Sequence, residues 1–418
     1  MINKPLIILT ISLIMIIHNS LFSQSKKDQQ YLFEIGLVDS LYSKTLGEYR
    51  KIWVHVPESV TSDKNKKYPV LIVLDGDTQL LKIRAILQQL EGVKVPEMII
   101  IGVDNNTNRL RDLTPTKPHN PSPASPLPGG GEKFTQFIQN ELLPYVDSKY
   151  PTTPYRTFFG HSIGGLLVLN SLFLNSASFN NYIAIEPSLW RGGDYDYLKE
   201  YSTYLKNTQF FQKSLFVGVA NTMSRLNLNL DTTSVLKDNS RATEHIRHIL
   251  TFAKTASETN QNKLNFDWKY YDNEDHNSVV LRSTYDALCF LFSWYPENKN
   301  DLMKIKNADT PVDEALNIFN KRNKELSSHF GYTVMPEEQV INRLGYQLLS
   351  MGQSEKSYAF FKINIDYYPK SPNVYDSMAD YFESEKDKEN ALKYARIAYE
   401  ISGEDYYKDR IKKLESNK

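Results

Sequence analysis

Short apolar runs punctuate the larger, N-terminal part of the chain. Residues 68–74, 98–103, 157–160, 182–185 and 215–220 are nearly continuous in apolar character, the pattern of strands covered on both faces. Residues 50–56 alternate instead, and 266–271 form a last strand candidate. Between them, stretches 78–90, 133–143 and 278–294 are helical in pattern. Strands alternating with helices predict an α/β fold, a mostly parallel central sheet with helices on both faces. Sites in such sheets gather at the carboxyl ends of the strands, so a catalytic motif is expected there.

Beyond residue 311 the strand signal stops and helices take over. Two copies of a 34-residue pattern fit between 340 and 405, a period that belongs to tetratricopeptide repeats. The first carries Leu344, Gly345, Gly352, Phe361 and Pro369; the second carries Tyr375, Met378, Ala379, Ala391 and Ala398. Two copies are fewer than such arrays need alone, so 406–414 is expected to cap them and the preceding domain to support them. At the other end, Lys4 precedes an apolar run over 6–17, followed by Ser20, Ser23 and Ser25. That is the layout of a secretory signal, with an uncleaved anchor as the plain alternative. The expected organisation is a signal peptide over 1–23, an α/β domain over 24–300 and a helical tetratricopeptide-like domain over 311–418. Export places the mature chain in the periplasm or outside the cell, with no membrane span after cleavage.

Charge and cysteine content narrow the chemistry. The 49 basic and 49 acidic residues cancel, which leaves no electrostatic footprint for nucleic acid. The single cysteine, Cys289, has no partner in the chain and reads as a packing residue. Cysteine and histidine spacings offer no zinc set, and no cofactor is expected.

The decisive segment is Gly160-His161-Ser162-Ile163-Gly164-Gly165, directly after a strand and directly before the apolar run Leu166-Leu167-Val168-Leu169. Gly-x-Ser-x-Gly in this setting is a nucleophile elbow, in which a sharp turn lifts the serine hydroxyl clear of the backbone. The plain alternative is a glycine-rich turn without chemistry. At the start of the following helix, the Ile163 amide can donate to a developing oxyanion. A base is expected later in the chain, and His276 lies after the last strand and before a helix. His161 adjoins the serine and is expected to diverge from it, while His245 and His248 read as surface or packing residues of a helix. The acid is expected after strand 215–220, where Asn221 cannot carry charge and Asp231 and Asp238 are the candidates. Each has a plain role too, Asp231 in a turn and Asp238 as a helix cap; Glu244 or a bare Ser–His dyad completes the set of options. Residues 111–131, rich in Pro, Ser and Gly, read as a surface loop or as the rim of the site.

With these residues in place, 42–295 resembles the Putative esterase (esterase D-like) family of α/β-hydrolases. The resemblance rests on Leu74-Asp75-Gly76-Asp77, Arg111-Asp112-Leu113-Thr114-Pro115-Thr116, the Ser162 segment, Glu186-Pro187-Ser188-Leu189-Trp190 and Asp275-His276-Asn277-Ser278. It implies a second oxyanion donor near Asp77, and that Arg111 and Trp190 border the substrate cleft. Asn277 departs from the family's usual glycine, and the segment after Ala220 is longer than usual. The expected function is an exported serine esterase acting on a siderophore lactone or an acylated carbohydrate. An acyltransferase with the same machinery, or an inactive binding protein that holds a protein partner through its repeats, are the alternatives.

Overall fold

The computed structural model describes residues 35–61, 66–115, 129–192, 196–223 and 230–416. The segment read as a signal peptide, 1–23, and most of the Pro/Ser/Gly loop, 116–128, lie outside the described residues. No helix among the described residues is long and apolar enough to cross a membrane.

Eight strands form one sheet: β1 (Leu37–Ser43), β2 (Glu48–His55), β3 (Tyr68–Val73), β4 (Ile99–Val103), β5 (Thr152–His161), β6 (Asn181–Ile185), β7 (Ser214–Ala220) and β8 (Asn265–Tyr271). Their spatial order is β1-β2-β4-β3-β5-β6-β7-β8. The run from β4 to β8 is parallel, and β2 joins β4 antiparallel. The α/β fold read from the sequence is therefore the fold observed. β3, β4 and β6 are buried along their whole length, which is why their residues are apolar without alternation. β1 is the strand the hydropathy pattern missed. It is an edge strand with Leu37 and Val38 exposed, so no buried face imposes a period on it.

Four helices frame the carboxyl end of the sheet: α1 (Gly76–Leu90), α2 (Ile163–Leu174), α3 (Glu244–Glu258) and α4 (Val279–Leu291). α2 is buried from Ile163 to Phe173, hence its lack of a polar stripe. α4 presses on β7 so closely that a Cβ on Gly218 would sit 1.9 Å from the Ser283 hydroxyl. That approach fixes the turn ahead of α4, which contains His276.

From Lys299 onward the chain is helical. Helices Glu338–Ser350 and Ser354–Tyr367 form a hairpin, and Pro372–Ser384 with Lys388–Ser402 repeat it 34 residues later. Helix Asp405–Ser416 packs on the last of these. In the first hairpin Gly345 meets the Phe361 ring, where a Cβ would lie 2.5 Å away; 34 residues on, Ala379 faces Ala391 and Ala395 in a small core. This helical part joins the α/β part at the amino end of the sheet. The Trp294 ring stacks on His329 at 3.8 Å, Phe330 meets Tyr155 of β5 edge-on, and Gly331 abuts Pro154. Arg322 donates to the Trp294 carbonyl at 3.1 Å, the Tyr332 hydroxyl donates to the Lys67 carbonyl and Lys66 pairs with Glu337. These contacts lie at the opposite end of β5 from Ser162.

Candidate active site

β5 ends at His161 and α2 begins at Ile163, leaving Ser162 alone in the turn. Its φ of 60° and ψ of −118° are strained for an L-residue. Gly160 makes the turn passable, since a Cβ there would stand 2.3 Å from the Gly164 carbonyl oxygen. The Ser162 amide donates to the Ile185 carbonyl at 2.9 Å, and the Ser188 amide donates to the Ser162 carbonyl at 3.1 Å. The elbow is thus tied to the end of β6.

The Ser162 hydroxyl lies 3.1 Å from Nε2 of His276 and 3.3 Å from the Ser188 hydroxyl. On the other side of the ring, His276 Nδ1 lies 3.0 Å from Oε2 of Glu186. Glu186 is the first residue after β6, fully buried, with φ 49°. Its Oε1 accepts the Ala220 amide at 2.6 Å, and its Oε2 also meets Nε2 of His245 at 3.0 Å. Burial pushes this carboxyl up, but hydrogen bonds from His245, His276 and Ala220 outweigh it and bring it down to about 2. The site therefore holds an ionised carboxylate behind the imidazole.

This corrects the expectation for the acid. Asp231 is exposed and closes its own turn, accepting from the amides of Thr233 and Ser234. Asp238 accepts from the hydroxyls of Ser240 and Thr243 at 2.7 Å, ahead of α3. Both side chains are spent on local backbone geometry, and neither meets His276. Asn221, at the start of that loop, instead clamps the histidine turn. Its amide donates to the Glu274 carbonyl and its side chain to the Asp272 carbonyl. Within the turn, Asp275 accepts from the amides of Asn277 and Ser278.

His161 diverges from the serine and bonds the His276 carbonyl through Nε2 at 2.7 Å. A carbonyl only accepts, so this nitrogen carries the proton. Burial pushes the His161 imidazole down from 6.5 to about 4. The unfolded chain takes up a second proton on this ring near pH 6.5 and the folded chain only near 4. Stability is therefore full above pH 6.5 and is lost as pH falls through that window, by up to about 3 kcal/mol. Thermal melts of the wild type should fall more steeply from pH 6.5 to 4 than those of His161→Gln; parallel curves would remove His161 from this role.

Above Ser162 opens a cleft of about 370 Å³ lined by Arg109, Leu110, Ile163, Ser188, Trp190, Arg191, Thr222, His245 and His276. Trp190 lines it, with Arg191 over its ring at 5.4 Å. Arg111 does not. It pairs with Glu48 and Asp112, and Arg50 joins the same carboxylates from β2. Arg109 occupies the cleft instead, its Nε and Nη2 held by Asp75 at 2.8 and 2.9 Å. Positions two apart on a helical turn point to different sides, so one arginine of the pair meets the cleft and the other meets the protein. His245, read from the sequence as a surface or packing residue, also faces the cleft from the first turn of α3. The amides of Ile163 and Asp77 belong to the first turns of α2 and α1, where no helical carbonyl accepts from them. The two turns adjoin: a Cβ on Gly164 would lie 3.6 Å from the Asp75 carboxylate.

Residues 43–281, more than half of the chain, match the family described as Putative esterase. Among curated relatives, the apo-salmochelin esterase of Escherichia coli is 30% identical over 179 residues, 40% of this chain and 55% of its own length. The ferri-bacillibactin esterase BesA of Bacillus subtilis is 32% identical over 160 residues, 34% of this chain and 55% of its own. The chain thus spans about half the length of these relatives. Among solved structures, an IroE-like serine hydrolase from Shewanella oneidensis superposes with a TM-score of 0.62 at 26% identity, covering 79% of this chain and 99% of its own. A protein from Capnocytophaga ochracea shares the fold over 91% of this chain and 99% of its own, with a TM-score of 0.60 at 18% identity. The family match, the α/β sheet and the serine at its elbow converge: the chain belongs to the Putative esterase family of α/β-hydrolases.

Proposed function

We propose that the chain is an exported serine esterase that cleaves a siderophore lactone, or a related ester bearing anionic groups, through an acyl-enzyme on Ser162. The observation that carries the reading is the hydrogen-bonded chain Ser162–His276–Glu186 at 3.1 and 3.0 Å. His276 takes the Ser162 proton through Nε2 as the oxygen attacks the ester carbonyl. The buried Glu186 carboxylate steadies the resulting imidazolium, which then protonates the leaving alcohol. The amides of Ile163 and Asp77 receive the oxyanion, and water releases the acyl group by the same steps in reverse. None of these steps needs a metal or an organic cofactor. Export rests on the apolar run over 6–17 behind Lys4.

Two features favour a siderophore lactone over a neutral acylated carbohydrate. Two curated relatives carry siderophore names, salmochelin and bacillibactin. The cleft also presents Arg109 and Arg191, while its nearby carboxylates are occupied, Asp75 by Arg109 and Glu186 by two histidines. Arg109 is engaged by Asp75, so Arg191, which has no carboxylate partner among the described residues, is the cation left to select negative charge on the substrate.

Fluorophosphonate labelling of the purified chain tests the nucleophile: the wild type should label and His276→Ala should label at least a hundredfold more slowly. A folded wild type that does not label would refute an activated serine. For the substrate class, Arg191→Ala should raise KM about tenfold for a catecholate lactone, with a much smaller change for a neutral acetyl ester. Equal effects on both would remove anion recognition.

A further inference from the structure

His245 is more than the triad requires. Glu186 already receives the Ala220 amide and His276, yet a second imidazole points at the same carboxylate oxygen. Oε2 of Glu186, Nε2 of His245 and Nδ1 of His276 all lie within 4.8 Å of one another, and each nitrogen is 3.0 Å from the oxygen. The far nitrogen of His245, Nδ1, is buried and has no hydrogen-bond partner among the described residues. Nothing on that side fixes which ring nitrogen holds the proton.

We infer that Glu186, His245 and His276 form a binding site for a divalent transition-metal cation such as Zn²⁺, and that its occupation switches the serine machinery off. Two imidazoles and a carboxylate are a common donor set for zinc and its neighbours. With metal–ligand bonds of about 2.0–2.2 Å, donors 3.0 Å apart subtend about a right angle at the ion, within reach of real coordination geometries. Charge points the same way: Glu186 is fully buried and, among the described residues, pairs with the two histidines and with no lysine or arginine, so a dication would add the counter-charge that neutral imidazoles do not supply. The ion has a route, because His245 and His276 both line the cleft, which also leaves room for water as further ligands. No spacing motif announces the set, since its members come from the end of β6, the start of α3 and the turn before α4.

Switching off follows from the proton inventory of the imidazole, and this step rests on the proposed role of His276 as base. In the metal-free protein Nδ1 of His276 carries the proton that Glu186 accepts, and Nε2 offers its lone pair to Ser162. A cation on Nδ1 takes the lone pair there, so the single proton of the neutral ring moves to Nε2. Nε2 then faces the Ser162 hydroxyl at 3.1 Å as a donor and cannot accept its proton. His245 makes the opposite exchange, from Nε2 to its unpartnered Nδ1. Two neutral imidazoles and one carboxylate bind the ion with no proton lost to solvent.

Titration calorimetry of the full Ser162→Ala chain with ZnCl₂ tests the site without any need for turnover. One zinc per chain is expected, with affinity at least tenfold weaker in the same chain carrying His245→Gln or His245→Asn, each checked for a native circular-dichroism melt. Absence of stoichiometric binding, or binding untouched in both folded variants, would overturn the site. In the wild type, saturating zinc should slow fluorophosphonate labelling at least tenfold, with recovery on adding EDTA. Labelling unaffected by bound zinc would overturn the switch. A chain that binds zinc but never labels would retain the site and refute the esterase reading, so the two failures are distinguishable.

Discussion

Ser162→Ala is expected to lower kcat about a millionfold, the scale seen when the nucleophile of a serine triad is removed. The hydroxyl is the only group lost, and beyond its 3.1 Å contact with His276 it makes only a 3.3 Å approach to Ser188. The turn itself is held by backbone contacts to Ile185 and Ser188, which alanine keeps. Substrate affinity and the thermal midpoint should therefore stay close to wild type while turnover disappears. Steady-state kinetics on an activated aryl ester, with substrate binding measured separately, decide the matter. Turnover within tenfold of wild type would move the nucleophile elsewhere.

Glu186→Gln is the second large effect, an expected loss of about 10³- to 10⁴-fold in kcat with little change in KM. Three donors converge on this carboxylate: the Ala220 amide, His245 and His276. Glutamine offers one oxygen and one NH₂ group, so it cannot accept from all three. If its NH₂ group turns toward the histidines, His276 must place its proton on Nε2, the wrong side for a base. If it turns toward Ala220, two donors clash and the imidazolium still loses its counter-charge. The loss amounts to about 4–5.5 kcal/mol of transition-state stabilisation. Asp231→Asn and Asp238→Asn, assayed beside it, should stay within about threefold of wild type, because their partners lie in their own turns. A reversal of that ranking would return the acid to the loop after β7.

The sequence carried the serine and the histidine in plain view because steric and topological rules act on them locally. An elbow needs glycine where helix and strand touch, and a base needs to follow the last strand. The carboxylate that meets His276 is hidden because chain order is a poor guide to space here. β6 lies between β5 and β7, and Ile185 is in register with both His161 and Gly218. A carboxylate one residue past β6 therefore reaches the same place as one past β7. A signal was available: a charged residue set flush against a continuous apolar strand, followed by Pro187. Such a residue is buried unless the strand frays, and a buried carboxylate needs partners. Arg109 and Arg111 show a different limit, since both lie on one short turn and only their contacts reveal which faces the cleft. His245 belongs with them, because the amphipathic pattern of α3 places it near a boundary without saying what lies across it.

From the helical contacts at Pro154 and Tyr155, β5 runs on to the elbow at Ser162, about 25 Å at the rise of a strand. The stacked Trp294 and His329 rings and the Arg322 clasp leave little play at that junction. The C-terminal helices consequently behave as a handle, set on the far side from the mouth. Anything that grips the handle, whether a resin in the laboratory or a neighbouring protein, leaves the mouth unobstructed and determines the direction in which it faces.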